Sequence, residues 1–313
     1  MGKTLRIFFV TDIHGSNVCF RKYLNALKIY QVDVGILMGD LTGKVLIPLV
    51  EKAGGGWETT LMGHHTFVET EAELEQLKKT LELMGYYWVH QTPQEFQEYK
   101  SDPVKVDLLF KQKMLDRLQE WINLADERLA GTGFKVYMAP GNDDHQEVDQ
   151  IIQNSAVIVN SNNNHVLIGD HEMITFSWSN PTPWNTPREK PDHELEPMLE
   201  SLVALVKDIP TAIFNFQVPP YGYALDLAPE LTKDLIQAAD RKVHVGSLAV
   251  AKMIEKYQPL LGLHGHIHES RGAQKVKRTL ILNPGSEYSE GILKGVVVIL
   301  EKGKVNDYIF TSG

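Results

Sequence analysis

Five apolar runs along this chain each end in a short polar motif. The runs are typical of strands because they are short, almost wholly apolar and followed by glycine or other turn residues. Their polar ends are, in chain order, Asp12-Ile13-His14, Gly39-Asp40, Gly141-Asn142, Gln217 ahead of Pro219-Pro220, and Gly265-His266-Ile267-His268. In open α/β sheets the carboxyl ends of the strands form the crevice where ligands bind. The pattern therefore predicts an α/β fold whose polar motifs meet at one edge.

The charge balance argues against a nucleic-acid-binding role. The formal net charge is −9 over 313 residues and the pI is near 5.7, whereas proteins that bind duplexes carry a basic surface. A small anion can still be captured by local positive charge or by a bound metal. We therefore expect a small-molecule partner, for which a small phosphorylated substrate is one candidate, and no duplex nucleic acid. The sequence gives no prediction of oligomeric state.

We expect neither a membrane span nor a secretory signal in this sequence. No stretch approaches the roughly 18 consecutive apolar residues that a membrane span needs. The amino-terminal run at residues 5–10 is too short for a secretory signal. The single cysteine, Cys19, cannot form an intrachain disulfide, which fits a reducing compartment. We expect a cytoplasmic protein that does not associate with membranes.

We expect one domain over residues 1–313, with a helical subdomain inserted at residues 51–133. Two sets of apolar residues in the insertion recur at helical spacing. The first set is Leu74, Leu77, Leu81 and Met84, and the second is Leu108, Leu115, Leu118, Ile122, Ala125 and Leu129. A packed helical pair explains both sets, and such a subdomain could cap the polar edge of the sheet.

The five motifs together supply carboxylate, amide and imidazole donors. One of them alone is weak, because Asp-x-His is common by chance and Asp40 could simply cap a helix. As a set, they suit a site for two hard or borderline divalent ions. Two such ions repel each other unless a bridging anion lies between them, so one carboxylate must bridge.

With these motifs, the chain resembles the calcineurin-like metallophosphoesterase family over its whole length apart from residues 51–133. The resemblance implies a four-layer α/β sandwich, in which two mixed β-sheets are flanked by helices. It also implies hydrolysis of a phosphoester by a hydroxide that the metals generate from water. Carried over residue by residue, it assigns the first ion to Asp12, His14 and His268, the second to Asn142 and His266, and the bridging role to Asp40.

The first departure from the family pattern is Gln217, which stands where the family usually has a histidine ligand of the second metal. A carboxamide oxygen can ligate a metal, but it is a harder donor than imidazole. We therefore expect Gln217 to ligate through its carbonyl oxygen, with a weakly occupied second site. Manganese is the favoured ion, with magnesium, iron, zinc and calcium as alternatives.

The second departure is Asp143, which follows Asn142 where many family members have a histidine that protonates the leaving group. Asp143 and His145 are candidates for this role. Asp144 is a further alternative, and for Asp144 and His145 local solvation or helix capping is at least as good an explanation. Arg271 and Tyr221 are candidate substrate contacts, with a solvated loop arginine and a turn aromatic as the alternatives. Weak leaving-group protonation favours phosphodiesters, or esters with acidic leaving groups, as substrates.

Two other functions compete with the hydrolase, namely a P-loop nucleotidase and a scaffold without catalytic activity. The segment Gly39-Asp40-Leu41-Thr42-Gly43-Lys44 is one residue too short between its glycines for a phosphate loop, and Val45 stands where such a loop needs Ser or Thr. The stronger alternative is a metallophosphoesterase scaffold that has lost catalysis and acts as a binding protein. Gln217 and Asp143 favour that scaffold, whereas the six other motif residues favour an enzyme.

Overall fold

A computed structural model of the chain describes residues 4–232, 237–301 and 303–313. None of the helices in these ranges combines the length and the apolar character that a bilayer span requires. The α-helices are α1 (Asn17–Ile29), α2 (Glu71–Leu83), α3 (Pro93–Ser101), α4 (Pro103–Leu129), α5 (Val148–Gln153), α6 (Asp192–Val203) and α7 (Leu248–Tyr257). The strands are β1 (Leu5–Thr11), β2 (Val34–Met38), β3 (Leu46–Glu51), β4 (Trp57–Leu61), β5 (His64–Val68), β6 (Tyr87–Gln91), β7 (Lys135–Ala139), β8 (Ile158–Asn160), β9 (His165–Ile168), β10 (His171–Phe176), β11 (Ile213–Phe216), β12 (Leu227–Leu231), β13 (Gln237–His244), β14 (Leu261–Leu263), β15 (Gly272–Val276), β16 (Thr279–Asn283), β17 (Lys294–Glu301) and β18 (Lys304–Ser312).

Two six-stranded mixed sheets form the centre of the fold. The first has the order β18-β17-β1-β2-β7-β8, and the second has the order β15-β16-β14-β11-β10-β9. In the first sheet β1, β2, β7 and β8 are parallel, while β17 and β18 run antiparallel. In the second sheet β10, β11, β14 and β16 are parallel, and β9 and β15 are the antiparallel edges. The parallel strands at the centre of both sheets account for their continuous apolar sequences.

Three apolar layers hold the sandwich together. Ile7, Phe9 and Ile36 of the first sheet pack with Met173 and Ile213 of the second to form the central layer. A second layer joins the outer face of the first sheet to α1, α4 and α5. A third joins the outer face of the second sheet to α6 and α7. This helix–sheet–sheet–helix order confirms the predicted four-layer sandwich.

The segment at residues 51–133 differs from the helical subdomain that the sequence predicts. The strands β5, β4, β3 and β6 form a four-stranded sheet in that order, and α2 packs against it through Leu74 and Leu81. Helix α4 instead belongs to the main sandwich, because Met114, Leu118 and Trp121 are buried in its outer layer. The prediction of an entirely helical insertion is therefore wrong, and the role of residues 51–133 as a cap stays a prediction.

Candidate metal centre

The polar motifs follow the carboxyl ends of parallel strands in both sheets. Asp12, Asp40 and Asn142 come directly after or within three residues of β1, β2 and β7 of the first sheet. Gln217 and His266 follow β11 and β14 of the second sheet. Because both sheets direct these ends to one place, loops that are up to 254 residues apart in the sequence meet in hydrogen-bond contact.

Three of the motif residues have an unusual backbone conformation. Asp12, His14 and His266 have φ values of 52°, 38° and 67°, in the left-handed region that residues other than glycine rarely adopt. Each such residue costs roughly 1–3 kcal/mol and persists where its surroundings hold it in place. These three are among the nine residues other than glycine that have positive φ in the described ranges, and all three carry motif side chains.

The first group of donors comprises Asp12, His14 and His268, whose potential ligand atoms all lie within 4.8 Å of one another. The Nε2 atoms of His14 and His268 are 3.1 Å apart, and His14 Nε2 lies 3.8 Å from Asp40 Oδ2. His14, Asp40 and Asp143 form an overlapping group under the same distance limit. The predicted ligands of the first ion are thus brought together, with Asp40 beside them.

The second group is centred on Asn142. Its Nδ2 donates to Thr186 Oγ1 at 2.9 Å, while its Oδ1 faces His266 Nδ1 at 2.7 Å. Thr186 in turn donates to Glu189 Oε1 at 2.5 Å, so its oxygen is free to accept from Asn142. The loop at residues 180–191 therefore orients the Asn142 amide, with its oxygen toward His266. Sequence reasoning missed Thr186 and Glu189, because only the folded chain brings them to Asn142.

Gln217 is buried in the site, but it presents a different atom from the one expected. Its Nε2 donates to Asp12 Oδ1 at 2.9 Å and approaches Asn142 Oδ1 at 3.5 Å. Its Oε1 has no hydrogen-bond partner among the described residues and lies toward Gly39. An amide N–H₂ group donates hydrogen bonds and offers no lone pair to a cation. In this orientation Gln217 holds two neighbouring ligands instead of adding a donor atom.

The electrostatics of the group indicate a need for a cation. Burial, together with the charges of Asp143 and Asp12, raises the pKa of Asp40 well above its ordinary value. Burial is also the main reason why the pKa values of His14 and His266 are lowered, so both imidazoles are neutral near pH 7. Neutral imidazoles offer lone pairs, and clustered buried carboxylates are stabilised by positive charge. The donor set therefore fits a hard or borderline divalent ion.

Two motif glycines allow the loops to pack closely around these carboxylates. A Cβ atom at Gly141 would overlap Asp40 Oδ1, and one at Gly265 would overlap both Thr11 Oγ1 and Asp12 Oδ2. The glycine of each Gly-Asn and Gly-His pair is thus required for steric reasons, independently of the role of the Asn or His beside it.

We expect Gly265→Ala to disturb the site strongly. The added methyl group must displace Thr11 and the Asp12 carboxylate to which Thr11 donates. This displacement should destabilise the fold by about 1–3 kcal/mol and lower metal affinity at least about tenfold. Differential scanning calorimetry and equilibrium dialysis with Mn²⁺ measure the two effects. Gly54→Ala is the matched control, because a Cβ atom there meets nothing within 4 Å. Unchanged metal affinity in Gly265→Ala would contradict this steric explanation.

The three residues after Asn142 have different surroundings. Asp143 lies at the site: its backbone N–H donates to Asp40 Oδ1 at 2.9 Å, and its Oδ2 is 3.9 Å from His14 Nδ1. Asp144 is structural, since it accepts hydrogen bonds from the backbone of Leu41 and from Thr42. The described contacts of His145 use its carbonyl oxygen, which accepts from Arg188, and none joins its ring to the motif residues. A catalytic role for His145 therefore lacks structural support.

The two candidate substrate contacts are held by other groups. Arg271 donates to the Thr311 carbonyl at 3.3 Å and lies over the Phe310 ring, 5.0 Å from its centroid. Tyr221 is 43% exposed, and its ring packs near His244. The structure thus directs Arg271 to β18 and brings neither side chain into described contact with the motif residues.

His264 is a core residue, as its place beside β14 suggests. It is fully buried, and its Nδ1 lies 2.9 Å from the Phe216 carbonyl, to which it donates. Burial lowers the pKa of His264 to about 4, so the ring is neutral at physiological pH. His264 is therefore part of the core, whereas His266 and His268, two and four residues later, lie among the motif residues.

Two further residues at the site, Tyr288 and Lys44, were not predicted as site residues from the sequence. Tyr288 packs its ring 4.5 Å from that of His14 and 5.9 Å from that of His268. Lys44 forms an ion pair with Asp143. Lys44 stands four residues after Asp40 on the same loop, and this closeness to a predicted ligand could have placed it at the site. In the sequence, its segment matches only an imperfect phosphate loop.

Comparisons with known proteins support the fold. No family model matches the chain. The uncharacterized protein MJ1162 of Methanocaldococcus jannaschii is 31% identical over 152 residues, which make up 48% of this chain. The match spans 63% of the length of that curated relative.

Two solved structures align with nearly the whole chain. One covers 99% of both chains with a TM-score of 0.61 and 15% identity. The other, TT1561 of Thermus thermophilus, covers 99% of both chains with a TM-score of 0.54 and 14% identity. At these identities the likeness concerns the fold alone. This chain shares with them a fold of two facing mixed sheets with flanking helices, and its motif residues follow the strand ends.

Proposed function

We propose that this chain is a metal-dependent hydrolase of phosphoesters, and that phosphodiesters are its preferred substrates. One observation carries the proposal: carboxylate, imidazole and amide donors from both sheets converge in a buried group, in which burial and neighbouring carboxylates raise the pKa of Asp40. Asp12, His14, His268 and Asp40 would hold a first ion, and Asp40, Asn142 and His266 would hold a second. A small phosphorylated molecule in the cytoplasm is the proposed substrate.

When bound, divalent ions lower the pKa of water from 15.7 to about 7 and neutralise phosphoryl oxygens. The protein's own contribution is to hold the donors in place. Thr11 Oγ1 and the His266 backbone N–H donate to Asp12 Oδ2 at 2.7 and 2.9 Å, which orients that carboxylate. The Asp143 backbone N–H does the same for Asp40. These hydrogen bonds fix the orientation of the two carboxylates before a substrate arrives.

The proposed metal is manganese, with magnesium and calcium ahead of zinc at the second position. The carboxylates and the Asn142 oxygen are hard donors, and Gln217 adds no imidazole to the second group. Hard divalent ions prefer oxygen ligands, whereas zinc prefers nitrogen and sulfur. Two zinc ions that remain bound through extensive dialysis would contradict this assignment.

A second candidate function is a binding scaffold without catalytic activity. The orientation of Gln217 favours it, because an amide N–H₂ group lies where the second ion would need a donor. The strained backbone of Asp12, His14 and His266 favours the enzyme. Turnover of bis-p-nitrophenyl phosphate with added Mn²⁺ separates the two, because a scaffold would show none with any divalent ion.

The leaving group is the sharpest test of the preferred substrate. Asp143, the candidate acid that lies at the site, is ion-paired with Lys44, so we expect weak leaving-group protonation and rates that depend steeply on leaving-group acidity. A series of phenyl phosphodiesters that differ in phenol pKa measures this slope, and phenyl and alkyl phosphomonoesters are the comparison. Equal efficiency on alkyl monoesters and on nitrophenyl diesters would contradict the proposal.

A further inference from the structure

Lys44 lies on the loop after β2 and pairs its ammonium group with the carboxylate of Asp143. We propose that Lys44 is a substrate contact that binds the phosphoryl oxygens beside the metal centre. This inference rests on the proposed phosphoester hydrolysis, and it names a residue that the family motifs do not contain.

The position of the ammonium group follows from that of its partner. Asp143 is anchored on Asp40, since its backbone N–H donates to Asp40 Oδ1 at 2.9 Å. The same Asp143 carboxylate approaches His14 Nδ1 at 3.9 Å. Lys44 is therefore fixed within one side chain of two residues that would hold the metals. A phosphoryl group bound at those metals would lie beside the ammonium group.

Lys44 neutralises a negative charge that would otherwise face the substrate. An Asp143 carboxylate without a partner would repel a phosphoryl group, and Lys44 cancels that charge. Burial lowers the pKa of Lys44, but the charges of Asp40 and Asp143 outweigh it and raise the pKa, so the amine is a cation at neutral pH. An ammonium group has three N–H donors. One contacts Asp143, and the others can serve phosphoryl oxygens.

Exposure distinguishes the two members of this pair. The Lys44 side chain is 51% exposed, whereas that of Asp143 is only 13% exposed. The cation thus remains open to an incoming molecule while its partner is fixed in the wall of the site. Lys256 provides a close comparison, because its side chain is also 51% exposed and pairs with a glutamate, but it lies on α7.

The test uses inorganic phosphate as the probe and the full chain loaded with Mn²⁺. Isothermal titration calorimetry measures phosphate affinity in the wild type, Lys44→Ala, Lys44→Arg and the control Lys256→Ala. We expect Lys44→Ala to raise the phosphate Kd at least about tenfold, because a charge-assisted hydrogen bond is lost. Lys44→Arg keeps the cation and should recover most of the affinity. Lys256→Ala should match the wild type.

Two further readouts separate substrate contact from an effect on the fold or the metals. Bound manganese and the circular dichroism spectrum should be the same in all four proteins. With bis-p-nitrophenyl phosphate, Lys44→Ala should raise KM more than it lowers kcat. A phosphate Kd within twofold of the wild type, or a loss of bound manganese in Lys44→Ala, overturns the inference.

The outcome for the proposed hydrolysis is read independently. Wild-type protein that binds phosphate through Lys44 but hydrolyses no phosphoester would contradict the hydrolase and leave the Lys44 contact standing. Wild-type turnover, together with an unchanged KM and phosphate Kd in Lys44→Ala, would support the hydrolase and contradict the Lys44 contact. If the wild type binds no phosphate, the Lys44 inference is wrong.

Discussion

Asp40→Asn is expected to abolish phosphoester hydrolysis and to stabilise the metal-free protein at the same time. Asp40 lies beside the first donor group, 3.8 Å from His14 Nε2, and it accepts a hydrogen bond from the backbone of Asp143, the residue after Asn142. Removing the bridging charge should lower turnover by about a thousandfold or more, or ~4 kcal/mol in the barrier. Assays with bis-p-nitrophenyl phosphate and Mn²⁺ measure this loss.

The gain in stability follows from the direction of the Asp40 pKa shift. Burial and the neighbouring carboxylates raise that pKa in the folded state, so the ionised form destabilises the fold above the unfolded pKa when no cation is bound. Asparagine has nearly the same shape without the charge. The Tm of chelator-treated Asp40→Asn at pH 7 should therefore exceed that of the treated wild type by at least about 2 °C.

Asp126→Asn is the control for this variant. Asp126 accepts a hydrogen bond from the Ala156 backbone at 3.1 Å, and that contact belongs to the fold and not to the motif cluster. It should lower Tm slightly and leave turnover near that of the wild type. Substantial activity in Asp40→Asn, or a lower Tm in its metal-free form, would show that Asp40 is not the bridging carboxylate.

Gln217→His should increase metal binding at the second position. The glutamine presents its amide nitrogen to Asp12 and Asn142, whereas an imidazole in the neutral form offers a lone pair. We expect bound metal to rise from about one to about two ions per chain at micromolar Mn²⁺. Turnover should rise at least about tenfold if the second ion contributes to transition-state charge neutralisation.

Metal stoichiometry by mass spectrometry after gel filtration measures the first effect, and steady-state kinetics measures the second. Gln217→Met is the matched control, because it keeps the length of the side chain without adding an imidazole. It should show no gain in bound metal. A wild type that already holds two ions per chain would contradict the orientation of Gln217 described above.

The sequence predicts the sandwich and the positions of the motif residues at the strand ends well, because both depend on local patterns. A buried parallel strand followed by glycine and a polar residue places that residue at the carboxyl edge, and this rule correctly locates Asp12, Asp40, Asn142 and His266. The residues that support them escape such reasoning. Thr186 reaches Asn142 only because the loop at residues 180–191 folds across the site.

The errors have equally specific causes. Arg271 follows His268 closely in sequence, yet its guanidinium group is held by Thr311 and Phe310 of the last strand. Strands β4 and β5 are short and partly exposed, so their sequences indicate strands far more weakly than the periodicity of α2 and α4 indicates helices. The orientation of Gln217 depends on three loops that meet only in the folded chain.

The most direct test of the metal-dependent hydrolase is a manganese titration of the chelator-treated wild type. Equilibrium dialysis measures bound Mn²⁺, and the same samples are assayed with bis-p-nitrophenyl phosphate. We expect no hydrolysis before metal is added and a rate that then rises in step with bound Mn²⁺ until the sites are filled. Hydrolysis that persists without metal, or full binding of Mn²⁺ with no hydrolysis, would contradict the account.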